Sequence, residues 1–340
     1  MKKLIVLCCL VLTACSSPYS PIDDENLGSK PITGLYQPDS ASSVFMIHGM
    51  CPHTKDWADD FVEDIAKKLA LKQIKAESSP LAFTVADDKN TNPERHYFLK
   101  EYSLAREGYL LNIYSFNYAY FNNIRSLGNL YDDFTKAKIN GSVKDQLVSG
   151  CLSDVTTYGG KRGQDIRTTL LDAIDYVEKE DAKLPVKPNK FFVSESLGSK
   201  ILRDVLVCDE IKSTDNAAGK ALSNTQTVFM ASNQLPLLNA VNSCVSNPTA
   251  TFADAIKQLS TTKRLRPSFH VVSFTDPNDL LSYDIDTDDY AEKGVSSVSI
   301  PVSNATTWFG LFAEPFKTHT GYLENKDVLD IIACGSNGCQ

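Results

Sequence analysis

Ser196 has the flanking residues that a serine nucleophile needs. It follows an apolar run, Phe191 to Val193, and precedes residues that favour a helix. A serine on a sharp strand-to-helix turn is held clear of the backbone, and such a turn requires small residues two positions before and after it. Ser194 and Gly198 meet this requirement. The spacing predicts that Ser196 can attack an electrophilic carbon, although glycine is the more common residue at the first small position.

Three further groups of residues follow predicted strands and could serve the same reaction. Acyl transfer by a serine needs a base, a carboxylate that orients the base, and hydrogen-bond donors for the developing oxyanion. These groups are His48-Gly49-Met50 after an apolar run over 43–47, Asp276 and Asp279 after a run over 268–274, and His319 in the segment 318–322. The chain order of the reactive types is therefore serine, aspartate and histidine.

The four motifs together resemble the α/β-hydrolase superfamily, and within it the serine esterases and lipases. They occur in the order that this superfamily uses, and they span residues 43–332. The resemblance implies an α/β fold with a mainly parallel central sheet, helices on both faces and inserted, lid-like segments. Ser194 in place of glycine is the departure from the pattern.

The resemblance also implies a role for each reactive residue. Ser196 is the nucleophile, His319 is the general base and then the general acid, and an aspartate orients the imidazole. Asp279 is the preferred aspartate because its Asp-x-Leu setting is similar to the acid loop of the family, and Asp276 is the alternative. We expect the other aspartate to cap the turn.

The oxyanion hole implied by the same resemblance consists of two backbone N–H groups, those of Met50 and Leu197. We interpret His48 as a structural residue rather than as the base, because it precedes Ser196 in the chain and lies at a strand end. The residues expected to support the loop and the turn are His48, Gly49, Ser194 and Gly198. The mechanism implies no cofactor, and no residues occur at a spacing typical of a metal site.

The N-terminus has the features of a bacterial lipoprotein signal peptide. Lys2 and Lys3 form a short basic region, and residues 4–12 form an apolar region that is too short to span a membrane. The following segment, Leu12-Thr13-Ala14-Cys15, resembles a lipobox. An ordinary secretory signal with a coincidental cysteine is the alternative.

The lipoprotein resemblance implies export to the bacterial cell envelope. It predicts a signal peptide over 1–14, acylation of Cys15 and a polar tether over 15–35. The acyl chains on Cys15 would attach the protein to a membrane. Ser16 stands where an aspartate marks inner-membrane retention in many Gram-negative bacteria, so the outer membrane is favoured.

Six cysteines lie beyond the predicted lipid anchor. An even number in an oxidising compartment indicates up to three disulfides. Cys334 and Cys339 flank a short Gly-Ser-Asn-Gly segment, so their local loop is the first predicted pairing. The other two pairings follow only by elimination, with free thiols as the alternative: Cys208 with Cys244, and Cys51 with Cys151.

Composition limits the class of partner. The formal charge of the 340-residue chain is −8, and cleavage after residue 14 would make it −10. An acidic chain without basic runs argues against nucleic-acid or phosphate-rich partners. Residues 36–340 are long enough for one large α/β domain with a full core.

Strands alternate with helices along this domain, which indicates a parallel sheet covered on both faces. Further strands are predicted at 110–116, 225–231 and 296–302, and helices at 57–71, 167–178 and 326–332. Two stretches, 82–106 and 118–157, do not fit the pattern and are interpreted as insertions. They would form either a lid over the nucleophile or surface excursions packed by their own aromatic residues.

The sequence therefore predicts a lipid-anchored cell-envelope serine hydrolase that cleaves carboxylic esters through an acyl-enzyme intermediate. An amidase or peptidase, a thioesterase and an acyltransferase are close alternatives, because the three residues do not select the leaving group. The alternative from another class is a non-catalytic lipoprotein that keeps the fold as a binding or envelope-assembly module.

Overall fold

The protein has an α/β fold in which a central, mainly parallel sheet carries helices on both faces, as predicted. The computed structural model describes residues 31–50, 53–74, 80–84, 96–118, 151, 153–160, 162–207, 217–238, 251–261, 266, 268–308 and 312–339. The predicted signal peptide, Cys15 and most of the predicted tether and of the 118–157 insertion lie outside these residues.

The strands are β1 (Ser40–Ile47), β2 (Lys72–Gln73), β3 (Leu81–Thr84), β4 (His96–Arg106), β5 (Tyr109–Asn117), β6 (Asn189–Glu195), β7 (Thr225–Ala231), β8 (His270–Thr275), β9 (Ser296–Pro301), β10 (Thr307–Trp308) and β11 (Phe312–Ala313). Within the described residues, nine of them form one sheet in the order β2-β4-β5-β1-β6-β7-β8-β9, with β3 paired to β4. Strands β5, β1 and β6–β9 run parallel, whereas β4 is antiparallel to β5.

The helices are α1 (Asp59–Lys68), α2 (Ser153–Gly159), α3 (Arg162–Asp181), α4 (Leu197–Val207), α5 (Ala217–Ser223), α6 (Leu235–Leu238), α7 (Phe252–Thr261), α8 (Thr287–Glu292), α9 (Pro315–Thr320) and α10 (Lys326–Cys334). A 3-10 helix, Tyr322–Glu324, joins α9 to α10. Helix α1 begins with two aspartates and ends with two lysines, which suits the helix dipole. In the described part of the chain, no helix is both long and apolar enough to span a bilayer.

Strand β6, which directly precedes Ser196, contributes to both sides of the core. Phe191 and Val193 pack into the layer that contains α1 and α10, whereas Phe192 packs into the layer that contains α3, α4 and α7. Alternate residues of a strand point to opposite faces of the sheet. An apolar run is therefore required here because both faces are covered.

The interpretation of 82–106 as an irregular insertion is wrong for its described part. Residues 96–106 form β4, a long strand of the central sheet. Tyr97 and Leu99 pack into one layer of the core, and Tyr102 and Leu104 pack into the other. Lys100 interrupts the apolar pattern, yet it is only 3% exposed because its ammonium group pairs with two aspartates near the start of α1.

The folded domain begins before the predicted boundary at residue 36. Ile32 and Leu35 are buried against α10. The backbone N–H of Leu35 donates to the carbonyl of Ile332 at 2.9 Å, and that of Ile32 donates to the hydroxyl of Ser336. Residues 32–35 thus belong to the domain rather than to the tether.

The predicted disulfide between Cys334 and Cys339 is confirmed. Cys151 is also disulfide-bonded, and its partner lies outside the described residues, because the other two described cysteines bond to each other. Cys51, Cys208 and Cys244 are outside the described residues, so their pairings stay predictions.

Candidate active site

Ser196 lies on the sharp turn between β6 and α4. Its φ of +51° is in the left-handed region, which non-glycine residues seldom adopt. Such backbone strain persists where the surrounding structure enforces it, and it is concentrated at functional sites. The N–H of Ser196 donates to the carbonyl of Ala231 at the end of β7, at 2.8 Å, which fixes the turn against the sheet.

Small residues flank this turn for two different reasons. A Cβ atom at Gly198 would lie 2.6 Å from the carbonyl oxygen of Ile47, so α4 can start beside β1 only with glycine there. Ser194 is fully buried, and its Oγ lies 3.1 Å from Oγ of Ser199 and donates to the carbonyl of Phe229. A serine is accommodated in place of the expected glycine because its buried hydroxyl has hydrogen-bond partners.

The structure brings Ser196, His319 and Asp279 into one hydrogen-bonded chain. Oγ of Ser196 lies 3.1 Å from Nε2 of His319, and Nδ1 of His319 lies 3.0 Å from both carboxylate oxygens of Asp279. Because the carboxylate can only accept, Nδ1 carries the proton, which leaves Nε2 free to accept from the serine hydroxyl. This order of donors and acceptors suits removal of the serine proton.

His319 is held by the short helix α9. The carboxylate of Glu314 accepts hydrogen bonds from the N–H groups of Phe316 and Lys317, and Pro315 occupies the first turn. Both features favour the start of a helix at this point. The imidazole of His319 is buried, with 7% of the residue exposed.

The carboxylate of Asp279 is held in its ionised form. It accepts hydrogen bonds from the hydroxyls of Ser232 and Tyr322, at 2.9 and 3.1 Å, and from the N–H of Leu281. Burial acts to raise the pKa of Asp279, but its hydrogen bond to His319, the charge of that imidazole and the other hydrogen bonds lower the pKa below its usual value.

Ser232 and Tyr322 position the histidine–aspartate pair, and sequence reasoning missed both. Oγ of Ser232 lies 3.0 Å from Nδ1 of His319, and the residue has a φ of +51° directly after β7. The hydroxyl of Tyr322 accepts from the N–H of Asp276 while it donates to Asp279. The sequence does contain a signal for Ser232, which directly follows the predicted strand β7, since parallel strands bring their carboxyl ends to the same edge of a sheet.

Asp276 caps its own loop. One of its carboxylate oxygens accepts from the backbone N–H and the side chain of Asn278, and the other accepts from the N–H of Asn304 at 2.7 Å. The carboxylate of Asp276 is thus engaged by the backbone, whereas that of Asp279 faces the imidazole.

Gly49 lies directly against Ser196. A Cβ atom at Gly49 would be 2.6 Å from Cβ of Ser196, so only glycine allows this approach. The next residue, Met50, is buried beside this contact, and Leu197 is the first residue of α4. The first N–H groups of a helix have no partner within the helix, so they can bind an oxyanion.

His48 supports the loop that carries Gly49. Its Nδ1 lies 2.7 Å from the carbonyl of Gly49, and its Nε2 accepts from the N–H of Tyr118. The ring stacks on Tyr118 with 4.1 Å between centroids, and the Tyr118 hydroxyl donates to the Gly49 carbonyl. Burial lowers the pKa of His48 well below its usual value, and the neighbouring His53 lowers it further. The geometry of His48 is that of a neutral structural residue.

No protein-family model matches the chain, and no curated protein sequence matches it. Among solved structures, the chain is similar to Est1E from Butyrivibrio proteoclasticus, with 9% identity, a TM-score of 0.37 and coverage of 91% of this chain and 93% of that one. It is also similar to ferulic acid-bound Est1E from the same organism, with 8% identity, a TM-score of 0.35 and coverage of 84% of this chain and 85% of that one.

Among the residues described, no three His, Cys, Asp or Glu side chains are grouped as a metal site would require.

Proposed function

We propose that the protein is a serine hydrolase of the α/β-hydrolase type that cleaves carboxylic esters through an acyl-enzyme intermediate. The observation that carries this proposal is the hydrogen-bonded chain from Ser196 through His319 to Asp279, on a turn that holds the serine at the carboxyl edge of a parallel sheet. A serine, a base and an orienting carboxylate in this geometry form a nucleophile activated for acyl transfer.

The reaction proceeds in two halves. Oγ of Ser196 attacks the ester carbonyl carbon while Nε2 of His319 takes the hydroxyl proton, which gives a tetrahedral intermediate. The intermediate collapses as His319 returns that proton to the leaving alcohol, and the acyl group stays on Ser196. Water then attacks the acyl-enzyme, His319 takes a proton from the water, and the carboxylic acid leaves as the serine hydroxyl is restored.

Two further parts of the site lower the barrier. The N–H groups of Met50 and Leu197 would donate to the oxyanion, since the contact of Gly49 with Ser196 brings the loop of Met50 beside the nucleophile. Asp279 stabilises the imidazolium that forms at His319, and its own hydrogen bonds keep it ionised. A module that only bound a ligand would gain nothing from a strained serine placed 3.1 Å from an oriented imidazole.

The test is turnover of p-nitrophenyl esters by the full chain over a series of acyl lengths. We expect a rapid release of about one equivalent of nitrophenolate per enzyme before the steady state, because an acyl-enzyme accumulates when deacylation is slow. Turnover of anilides or thioesters at a higher kcat/KM than the matched ester would favour the amidase or thioesterase alternative. The absence of any turnover by the folded protein would contradict the proposal.

We also propose that the chain is an exported lipoprotein anchored through Cys15 in the bacterial cell envelope, in the outer membrane. The carbonyl of Thr33 accepts from the hydroxyl of Thr227 near the start of β7, whereas Ser232 follows the end of that strand. The tether would therefore join the domain at the edge of the sheet opposite Ser196. Membrane fractionation of wild-type protein and the Cys15→Ala variant tests the anchor: we expect only the variant in the aqueous fraction.

A further inference from the structure

His53 lies beside the loop that approaches Ser196, and the proposed mechanism does not use it. The centroid of its ring is 4.4 Å from that of His48, and the indole of Trp57 meets both imidazoles edge-on, with centroid distances of 5.4 and 5.8 Å. His48 directly precedes Gly49, which contacts Ser196. The ring of His53 is thus packed against the base of this loop.

The imidazole of His53 forms a hydrogen bond with the backbone of Met50. This bond acts to raise the pKa of the ring, as a bond does when the ring donates and a backbone carbonyl accepts. Burial is the larger effect and lowers the pKa of His53 to about 4. At neutral pH His53 is therefore an uncharged ring that donates a hydrogen bond to the carbonyl of Met50.

The peptide that precedes Met50 is held by other donors. The carbonyl of Gly49 accepts from Nδ1 of His48 and from the hydroxyl of Tyr118, each at 2.7 Å. The N–H of Met50 belongs to the same trans peptide, so it points away from these two donors. Because His53 holds the carbonyl of Met50, the peptide planes on both sides of this residue are fixed, and neither can rotate without breaking a hydrogen bond.

The segment that carries His53 is anchored to the sheet independently of this loop. The side-chain amide of Asn117, at the end of β5, donates to the carbonyl of Thr54 at 2.5 Å. The ammonium of Lys100 in β4 donates to the carboxylate of Asp56 at 2.6 Å. His53 therefore donates from a fixed position, as a residue that orients a neighbouring peptide must.

We propose that His53 is a positioning residue that holds the N–H of Met50 in the direction from which it donates to the oxyanion. This inference rests on the proposed esterase function. Preorganised donors lower the barrier because they need no reorientation as charge develops on the oxygen. The carbonyl of a bound substrate carries little of that charge, so His53 contributes to stabilisation of the transition state rather than to substrate binding.

The first measurement is kcat/KM of the full-length His53→Phe variant for p-nitrophenyl butyrate. Phenylalanine keeps an aromatic ring beside His48 and Trp57 but cannot donate to Met50. We expect kcat/KM to fall about 10- to 100-fold, because the N–H of Met50 is still present but no longer held in one direction. His53→Asn and His53→Gln place an amide N–H near one or the other ring nitrogen, and at least one of them should recover most of the loss.

A pair of inhibitors separates positioning from a general loss of structure. Ser196 adds to a trifluoromethyl ketone to give an adduct with a negatively charged oxygen, whereas the matched methyl ketone binds largely as an uncharged ligand. In His53→Phe, we expect Ki of the trifluoromethyl ketone to rise by the factor by which kcat/KM falls, and Ki of the methyl ketone to stay within about twofold of wild type. Partial unfolding would reduce the active fraction without changing either Ki.

The matched control is His270→Phe. His270 is the first residue of β8, at the opposite edge of the sheet from Ser196, and its Nδ1 lies 2.9 Å from the hydroxyl oxygen of Ser296. This variant makes the same exchange of side chains away from the site. Its kcat/KM and both Ki values should therefore stay within about twofold of wild type.

Distinct outcomes overturn this inference and the proposed function. Turnover by His53→Phe with kcat/KM within about threefold of an active wild type overturns the role of His53 alone. A fall in kcat/KM without the matching rise in Ki of the trifluoromethyl ketone, or an equal loss in both amide variants, does the same. His53→Ala is the second donor-free variant, for the case that phenylalanine prevents folding, and the same outcomes apply to it. No turnover of any ester by the folded wild-type protein overturns the proposed function, and the role of His53 with it.

Discussion

Replacement of Ser196 with alanine is expected to reduce kcat for p-nitrophenyl butyrate by about 10⁴- to 10⁶-fold. The substitution removes the oxygen that lies 3.1 Å from Nε2 of His319, and with it the atom that would bond to the acyl carbon. Residual turnover would come from water and the oxyanion donors. The measurement is steady-state turnover together with the initial release of nitrophenolate, which the variant should lack.

The matched control for this substitution is Ser223→Ala. Ser223 is the last residue of α5, and its exposed hydroxyl donates to the carbonyl of Lys220. The control should retain wild-type turnover and stability within experimental error, because its hydroxyl is open to water. A Ser196→Ala variant that retained more than about a hundredth of wild-type kcat would contradict a covalent role for this serine.

Replacement of Asp279 with asparagine is expected to reduce kcat by about 10³- to 10⁴-fold. An amide facing Nδ1 can donate a hydrogen bond, which would favour the tautomer of His319 that carries its proton on Nε2. That tautomer cannot accept the proton of Ser196. Asparagine has nearly the same shape as aspartate, so the fold should be retained, and thermal unfolding of the variant checks this point.

The control for Asp279→Asn is Asp276→Asn, the same substitution at the other aspartate of this loop. Its carboxylate accepts from Asn278 and Asn304 within the loop, so the expected effect is a lower melting temperature, with kcat within about tenfold of wild type. A larger loss of kcat in Asp276→Asn than in Asp279→Asn would reverse the assignment of the orienting carboxylate.

Much of the sheet follows from local sequence. The apolar strands β1, β6, β7 and β8 are buried on both faces, which produces continuous apolar runs that the sequence displays directly. Strand β4 was missed because Lys100 and other polar residues break its pattern. Only tertiary structure shows that the ammonium of Lys100 is paired with Asp56 and Asp59.

Only part of the candidate site follows from the sequence, because some of its residues act through tertiary contacts. Ser196 is marked by the small residues that its turn requires, and His319 by its place after the last predicted strand. The preference for Asp279 over Asp276 rested on resemblance, whereas in the structure the two carboxylates differ by their partners. Ser232 and Tyr322 act through contacts between distant parts of the chain, and no local pattern distinguishes such residues from other buried polar ones.

The measurement that tests the central claim most directly is labelling of the full chain with a fluorophosphonate, followed by mass spectrometry of the tryptic peptides. The tryptic peptide that covers residues 191–200 contains Ser194, Ser196 and Ser199, and fragmentation distinguishes them. We predict one covalent adduct, located on Ser196 and lost in Ser196→Ala. A folded wild-type protein that stays unlabelled, or that is labelled at another residue, would contradict the assignment of Ser196 as an activated nucleophile.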